Sequence, residues 1–259
     1  MSVAPAAQAR SSTGSAAGRR SLGSYLLMPV LLAGVLLALY LYVSSQELDS
    51  IEARTLTLSR ILDAARAHVL LTAASTVITL LIAIPLGIML TRPFARRLRS
   101  YVIGVLTVLQ AIPTIAVLVL LAVVFLILGF WIAIIGLVLY AIVPVLLNTM
   151  VGIEQVDDNV LEAGRGMGMS KVTVLRKIEL PLSIPVMLAG IRTALVINVG
   201  TATLATYINA GGLGDIIAAG LATNRFTIQL VGAVLTSVLA LLIDYLAGVV
   251  EDVLRPRGL

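Results

Sequence analysis

Apolar runs separated by short polar stretches organise this 259-residue chain. They fall at about residues 25–43, 67–90, 101–128, 130–151, 183–208 and 227–250. Each approaches or exceeds the ~20 residues that a helix needs to cross a bilayer. The alternating segments of ~10 residues that mark a membrane barrel are absent. The pattern predicts an all-α polytopic membrane protein with about six transmembrane helices. Little more than Gly129 separates the third run from the fourth, which predicts a tight hairpin there. Prolines fall inside or near the ends of five runs, at Pro29, Pro85, Pro113, Pro144 and Pro185. Each removes a backbone donor and bends its helix, either as a static packing kink or as a hinge.

Composition agrees with this pattern. Hydrophobic residues make up 59% of the chain and charged residues 12%, and the mean hydropathy is +1.08. A soluble domain needs far more charge to keep its surface wet. The chain has no cysteine, which excludes disulfides and thiolate metal sites. Its net charge of +5 does not indicate nucleic-acid binding, because the positive residues cluster at the edges of the apolar runs.

Those positive charges orient the chain. Residues 1–22, rich in Ala, Ser and Gly, read as a disordered basic tail carrying Arg10, Arg19 and Arg20. The run at 25–43 is long for a signal peptide and lacks a small-residue cleavage site, so it reads as a retained first helix. Arg92, Arg96, Arg97 and Arg99 lie in the loop 91–100, and Arg165, Lys171, Arg176 and Lys177 in the loop 152–182. With the N-terminal arginines, Arg255 and Arg257, they put thirteen of the eighteen Lys and Arg residues on one side. The positive-inside rule makes that side cytoplasmic and places both termini there. The segment 44–66 is then external. Leu48, Ile51, Leu58, Ile61 and Leu62 are spaced as one apolar face, predicting a short helix on the outer membrane surface, with a solvated loop as the alternative. The resulting division is a tail at 1–22, a first helix with its external segment at 23–66, a core domain at 67–252 and a tail at 253–259.

The loop 152–182 is too structured for a plain connector. Asp157, Asp158 and Asn159 supply a capping region before Glu162 and Ala163, and Gly168 can turn the chain left-handed. Ser170 can cap a second helix that carries Val174, Leu175 and Ile178 on one face, stopped by Leu180-Pro181. The expected product is a helix–turn–helix along the membrane face with a compact apolar patch.

At these residues the chain resembles the permease subunits of type I ABC importers. Their cytoplasmic motif reads E-A-A, three residues, G, nine residues, I-x-L-P. Glu162, Ala163, Gly168, Ile178, Leu180 and Pro181 fall in register, and Gly164 stands where the second alanine is usual. That exchange costs about 1 kcal/mol of helix propensity and predicts a looser first helix. The resemblance implies a coupling loop that docks on an ATP-hydrolysing partner. It also implies two ATPase subunits, a second permease copy or a homologous permease, an extracytoplasmic substrate-binding protein and a bacterial inner (plasma) membrane. The chain has no G-x-x-x-x-G-K-[ST] loop, so no cofactor is expected on it, and ATP and Mg belong to the partner. Residues 189–194, 198–205 and 209–215, including Asn209-Ala210-Gly211-Gly212-Leu213-Gly214-Asp215, look like the osmoprotectant branch serving glycine betaine, choline and carnitine. Methionine-type permeases carry similar runs, so an importer of methionine or another amino acid is the alternative.

The spans themselves offer further candidates. Asn198, Thr201, Thr203 and Thr206 place polar groups in the fifth run, and Gln110 and Thr114 flank Pro113 in the third. They are expected to face the bundle interior, either lining a translocation path or bonding helix to helix. Arg192 and Asp244 are ionisable residues within spans and form a candidate intramembrane ion pair. His68 is alone at the edge of the second run, and no catalytic or metal-binding set is evident. That argues against an intramembrane enzyme. An autonomous channel or ion-coupled transporter would show chains of intramembrane charge and would not need a coupling loop.

Overall fold

In the computed structural model, residues 22–254 are described. The remainders of both expected tails, with Arg10, Arg19, Arg20, Arg255 and Arg257, lie outside the described residues. A bilayer offers backbone groups no water, so apolar runs become helices that bond internally. Their order is α1 (Leu22–Ser44), α2 (Ser50–Thr55), α3 (Leu58–Leu90), α4 (Arg96–Ala111), α5 (Thr114–Phe125) and α6 (Phe130–Glu154). There follow α7 (Asp158–Gly166), α8 (Lys171–Val174), α9 (Leu180–Ala202), α10 (Gly214–Ala222) and α11 (Phe226–Leu254). Among the described residues, five stretches are long and apolar enough to cross a membrane, or six if the bent pair α4–α5 counts as one span.

The third apolar run is not a straight span. Its helices α4 and α5 meet at 99°. Ile112 is extended (ψ 133°) because the ring of Pro113 disfavours a helical residue before it. Pro29, Pro85, Pro144 and Pro185 instead lie within continuous helices. The segment 44–66 also departs from the expected single surface helix. Leu58 already belongs to α3, whose 33 residues reach about 50 Å, well past an apolar core of ~30 Å. No Gly or Pro between 58 and 67 stops that helix at the membrane edge, so it crosses the expected 66/67 domain boundary. Ile51 and Ile61 pack with Leu213, Ile216 and Ile228, whereas Leu58 and Leu62 stay exposed.

Two further departures concern the fifth span. Leu180-Pro181 does not stop α8. The chain continues through a π-turn, Leu175–Glu179, in which the Leu180 amide reaches the Leu175 carbonyl, straight into α9. Pro181 sits in the first turn of α9, where the wider turn accommodates its missing donor. At its far end, α9 tightens into a 3-10 turn, Thr203–Ile208, rather than running on as α-helix. The glycines that follow have positive φ (Gly211 80°, Gly212 110°) and turn the chain into α10. Hydropathy did not predict α10, because its nine residues are too short to read as a span.

The core is the mutual packing of α3, α6 and α9, with α11 against α9 and α1 outermost on α11. Small residues permit these approaches. A Cβ on Gly87 would lie 2.9 Å from Thr149 Cβ, and one on Gly152 would lie 3.0 Å from the Ser183 carbonyl. On Gly190 it would meet Asn148 Cβ at 2.5 Å and the Pro144 carbonyl at 2.7 Å. Gly190→Ala should therefore separate α6 from α9 at an overpacking cost of about 1–3 kcal/mol. A lowered unfolding midpoint in detergent would register it, and an unchanged midpoint would refute the close contact.

Asp49 fastens the α1–α3 connection. Its carboxylate accepts the Ile51 and Glu52 amides at 2.9 and 2.8 Å, and Arg225 Nε lies 2.6 Å away. The Glu52 amide above all, with the Ile51 amide and the Arg225 charge, holds its pKa below the ordinary carboxylate value against the opposing effect of desolvation. A depressed pKa means that this stabilisation is complete above the unfolded value of about 3.9 and is lost as pH falls through the folded one. Proteolytic nicking of the 45–57 connection should therefore rise as pH falls below about 4. Asp49→Asn should show less of that rise, and an identical acid response in the variant would exclude Asp49 as its source.

Candidate functional site: a helix–turn–helix docking loop

Between α6 and α9 the loop is built from local chemistry. The Asp157 carboxylate accepts the Asn159 amide at 2.8 Å and opens α7. At the other end Gly168 takes φ 81°. The Gly168 amide bonds the Arg165 carbonyl at 2.9 Å, and the Met169 amide bonds the Gly164 carbonyl at 3.2 Å, the paired closure of a Schellman turn. Ser170 Oγ then accepts the Thr173 amide at 3.3 Å and starts α8. Val156, Leu161 and Val174 form a small core with Met169, Ile178 and Leu182 beneath the turn. Leu180 and Pro181 are half-buried, and Glu162 and Ala163 point outward.

Gly164 has a packing role. It is buried, and a Cβ there would stand 2.6 Å from Ile178 Cδ1. Glycine lets α7 lie against the π-turn, so the lost helix propensity accompanies a closer helix contact. Around the loop, Arg92, Arg165, Lys171 and Glu179 line a cavity of about 530 Å³ whose apolar wall is Val172, Val174 and Leu175.

Two acids that the sequence reading missed tie the loop to residues 91–100. Arg92 donates to both oxygens of the buried Glu179 carboxylate, at 3.2 and 2.5 Å. Arg99 likewise forks onto Glu154, with its Nη2 contact at 3.2 Å. The signal for them in the sequence is the arginine-rich loop 91–100 itself.

The polar residues of the spans are not gathered into one site. Asn198 is fully buried and donates to Thr76 Oγ1 at 3.0 Å, while its Oδ1 and the buried Thr149 Oγ1 have no hydrogen-bond partner. Thr201 bonds back to the Ile197 carbonyl at 2.8 Å and Thr203 to the Gly200 carbonyl at 2.7 Å. Thr206 donates to Asp215 in the first turn of α10. Gln110 donates to the Tyr140 carbonyl at 3.2 Å, a carbonyl that Pro144 leaves free four residues on. The Tyr140 hydroxyl donates to the Ile112 carbonyl, exposed by the α4–α5 break, so one residue anchors the end of α4 at the elbow. Thr114, half-buried, opens α5.

His68 is not at an edge but fully buried. Its Nε2 lies 3.0 Å from the Val199 carbonyl, and its Nδ1 accepts the Leu213 amide at 3.2 Å. That pairing requires a neutral ring with the proton on Nε2. The Thr203 amide bonds Gly200 instead of Val199 as α9 tightens, which frees the carbonyl that His68 takes. Thr72, Ser75, Thr76 and Thr79 continue from His68 as a buried hydroxyl stripe on α3. Their helical spacing was the unused sequence signal.

Arg192 of α9 and Asp244 of α11 are joined by a two-pronged contact, Nε to Oδ1 at 2.5 Å and Nη2 to Oδ2 at 2.6 Å, and Glu251 stands 3.8 Å from Arg192.

Comparison with known proteins adds three observations. Residues 83–256 match the model of the family described as "Binding-protein-dependent transport system inner membrane component". The chain is 46% identical over 192 residues to the carnitine transport permease protein OpuCD of Listeria monocytogenes, covering 73% of this chain and 84% of that one. It is 39% identical over 212 residues to the osmoprotectant import permease protein OsmY of Salmonella typhimurium, covering 82% and 88%. Against the choline transport system permease protein OpuBB of Bacillus subtilis, identity is 38% over 201 residues, covering 74% and 87%. Among solved structures, an inward-facing MetNI methionine ABC transporter aligns with TM-score 0.66 at 22% identity, over 75% of this chain and 95% of that one. That likeness carries the fold alone.

The Arg192–Asp244 contact makes a direct prediction. Arg192→Asp or Asp244→Arg alone leaves like charges within spans, where one lone charge costs about 2.5–3.5 kcal/mol on insertion scales. The reversed double variant should recover membrane yield and thermal stability above either single variant. A double variant no better than the singles would deny the pair a stabilising role.

Proposed function

The chain belongs to the family of binding-protein-dependent transport system inner membrane components, and from that premise we propose its place in a transporter. It is the membrane-spanning permease subunit of an ATP-driven importer for quaternary amine osmoprotectants: glycine betaine, choline and carnitine. The observation that carries this reading is the 38–46% identity, along most of the chain, to permeases named for carnitine, choline and osmoprotectant transport. The methionine and amino-acid alternative rests on structures only 20–23% identical, a likeness of fold and not of cargo.

In this reading the 152–182 loop faces the cytoplasm with both termini and docks on a separate ATPase subunit. Its capped turn and small apolar core favour movement as a unit. Glu162, Ala163 and the Gly168 turn lie on its outer side, available to that partner. Two permeases, this chain with a second copy or with a homologous permease, enclose the path. Gln110, Thr114, Thr201, Thr203 and Thr206 are its partly open polar positions, while Asn198 holds α9 to α3. ATP and Mg act on the partner: when two ATPase subunits close around ATP, they draw the coupling loops together and open the permease outward. Hydrolysis resets it inward.

Recognition of the cargo belongs to an external binding protein. A quaternary ammonium has no N–H to donate and is gripped by aromatic faces. Among the described residues, Trp131 is exposed and meets Phe130 edge-on at 5.5 Å, and Tyr140 is committed to the elbow. Neither is part of a cage.

Glu162→Lys and Gly168→Pro should each abolish ATPase-dependent uptake while the chain still inserts in the membrane. The lysine reverses the charge of the docking face. Proline cannot take φ 81° and removes the amide that closes α7. Uptake of radiolabelled betaine, choline, carnitine and methionine in a strain lacking the chain is the measurement. Normal uptake with either variant would overturn the docking role, and restoration of methionine uptake alone would overturn the substrate.

A further inference from the structure

Both ends of the docking loop carry a glutamate, and both glutamates are held by arginines of one short loop. Glu154 is the last residue of α6 and Glu179 the last of the π-turn. Arg92 follows α3 directly, and Arg99 lies in the first turn of α4. The two contacts differ in burial. The Glu179 side chain is 6% exposed against 28% for Arg92, whereas Arg99 and Glu154 are 37% and 39% exposed. A forked guanidinium–carboxylate contact fixes orientation as well as distance, and in a shielded setting it resists competition from water and salt.

Position gives the buried pair its significance. Glu179 lies where a π-turn interrupts the otherwise continuous path from α8 into α9. A π-turn carries one residue more than α-helical bonding holds and is a natural point of bending. Without a tie there, displacement of the loop would be absorbed by bending at 175–179. With Glu179 gripped by Arg92, that displacement must carry the end of α3 with it. From loop 91–100 the chain enters α4, whose far end is the 99° elbow held by Tyr140.

We propose that Arg92 and Glu179 are a positioning pair that locks the docking loop to the end of α3, so that loop movement drives α3 and α4 together with α9 instead of being lost in the π-turn. The more exposed Arg99–Glu154 pair steadies the loop's entry. The pair touches neither ATP nor substrate. This inference rests on the permease reading above.

The test uses the complete transporter, this chain with its ATPase and binding protein, in proteoliposomes. It measures both uptake and ATP consumed per substrate imported. Glu179→Gln and Arg92→Met should lower uptake about tenfold and raise the ATP cost per substrate by a similar factor. Arg92→Lys keeps the charge but not the fork and should fall between them and the native protein. The exchange Arg92→Glu with Glu179→Arg should recover about a third or more of native uptake. Glu154→Gln, at the exposed pair, should cost about twofold or less. A merely structural role would reduce the amount of assembled transporter and leave the ATP cost per substrate unchanged. An unchanged ratio in Glu179→Gln, or an exchange no better than either single variant, would overturn the proposal. If Glu179→Gln fails to insert, Arg92→Lys and the exchange decide by the same ratio. Failure of the native chain to retain an ATPase on purification would instead overturn the permease reading itself.

Discussion

A backbone carbonyl inside a bilayer has no water to turn to, so each interruption of a spanning helix must be answered by another donor. This fold has several interruptions, and the answers hold its helices in place. Where α9 tightens, Val199 loses its helical donor and His68 of α3 supplies one. Pro144 leaves the Tyr140 carbonyl open, and Gln110 of α4 fills it. The α4–α5 break exposes the Ile112 carbonyl to the Tyr140 hydroxyl. At the entry to α9, the Leu180 amide reaches back five residues to Leu175. Three of these four repairs join different helices, so the features that bend the spans also fix their mutual positions.

That constraint explains what could be read from the chain beforehand. The apolar runs report helices because every residue of a span contributes to the same signal. The docking loop was legible for a different reason: its devices are local. Asp157 caps from two residues away, Gly168 bends in place and Ser170 caps across one turn. The 99° elbow was not legible, because hydropathy is blind to direction and Pro113 was one of five similar prolines. Nor was the partner of Glu179, which lies 87 residues away, or that of His68, 131 residues away. Such pairings depend on how helices meet, and one sequence without relatives records only which residues are available.

Gly164 shows how local and tertiary demands trade. Propensity favours alanine there by about 1 kcal/mol, and the resemblance to related loops does too. In the folded loop, however, an added Cβ would press on Ile178 Cδ1. The preference for helix is a small, distributed term, while the fit beneath the turn is specific to this position. A methyl there would require the Ile178 tip to swing aside, so the glycine suits the close packing of this loop and the departure from the usual motif is consistent with it.

The same accounting bears on the polar residues of the spans. Thr201 and Thr203 direct their hydroxyls to their own helix, Gln110 is engaged with Tyr140, and the Asn198 amide nitrogen with Thr76. Groups already bonded to the helices offer a passing solute weak contacts, and the unpartnered Asn198 Oδ1 and Thr149 Oγ1 are buried between helices. For a path this is an advantage, since conduction requires a substrate to leave as easily as it enters. Under the proposed function, selectivity is exercised before entry, by the external binding protein. Under that reading the burden on this chain is mechanical: it must keep its interrupted helices bonded while a loop at one end moves them.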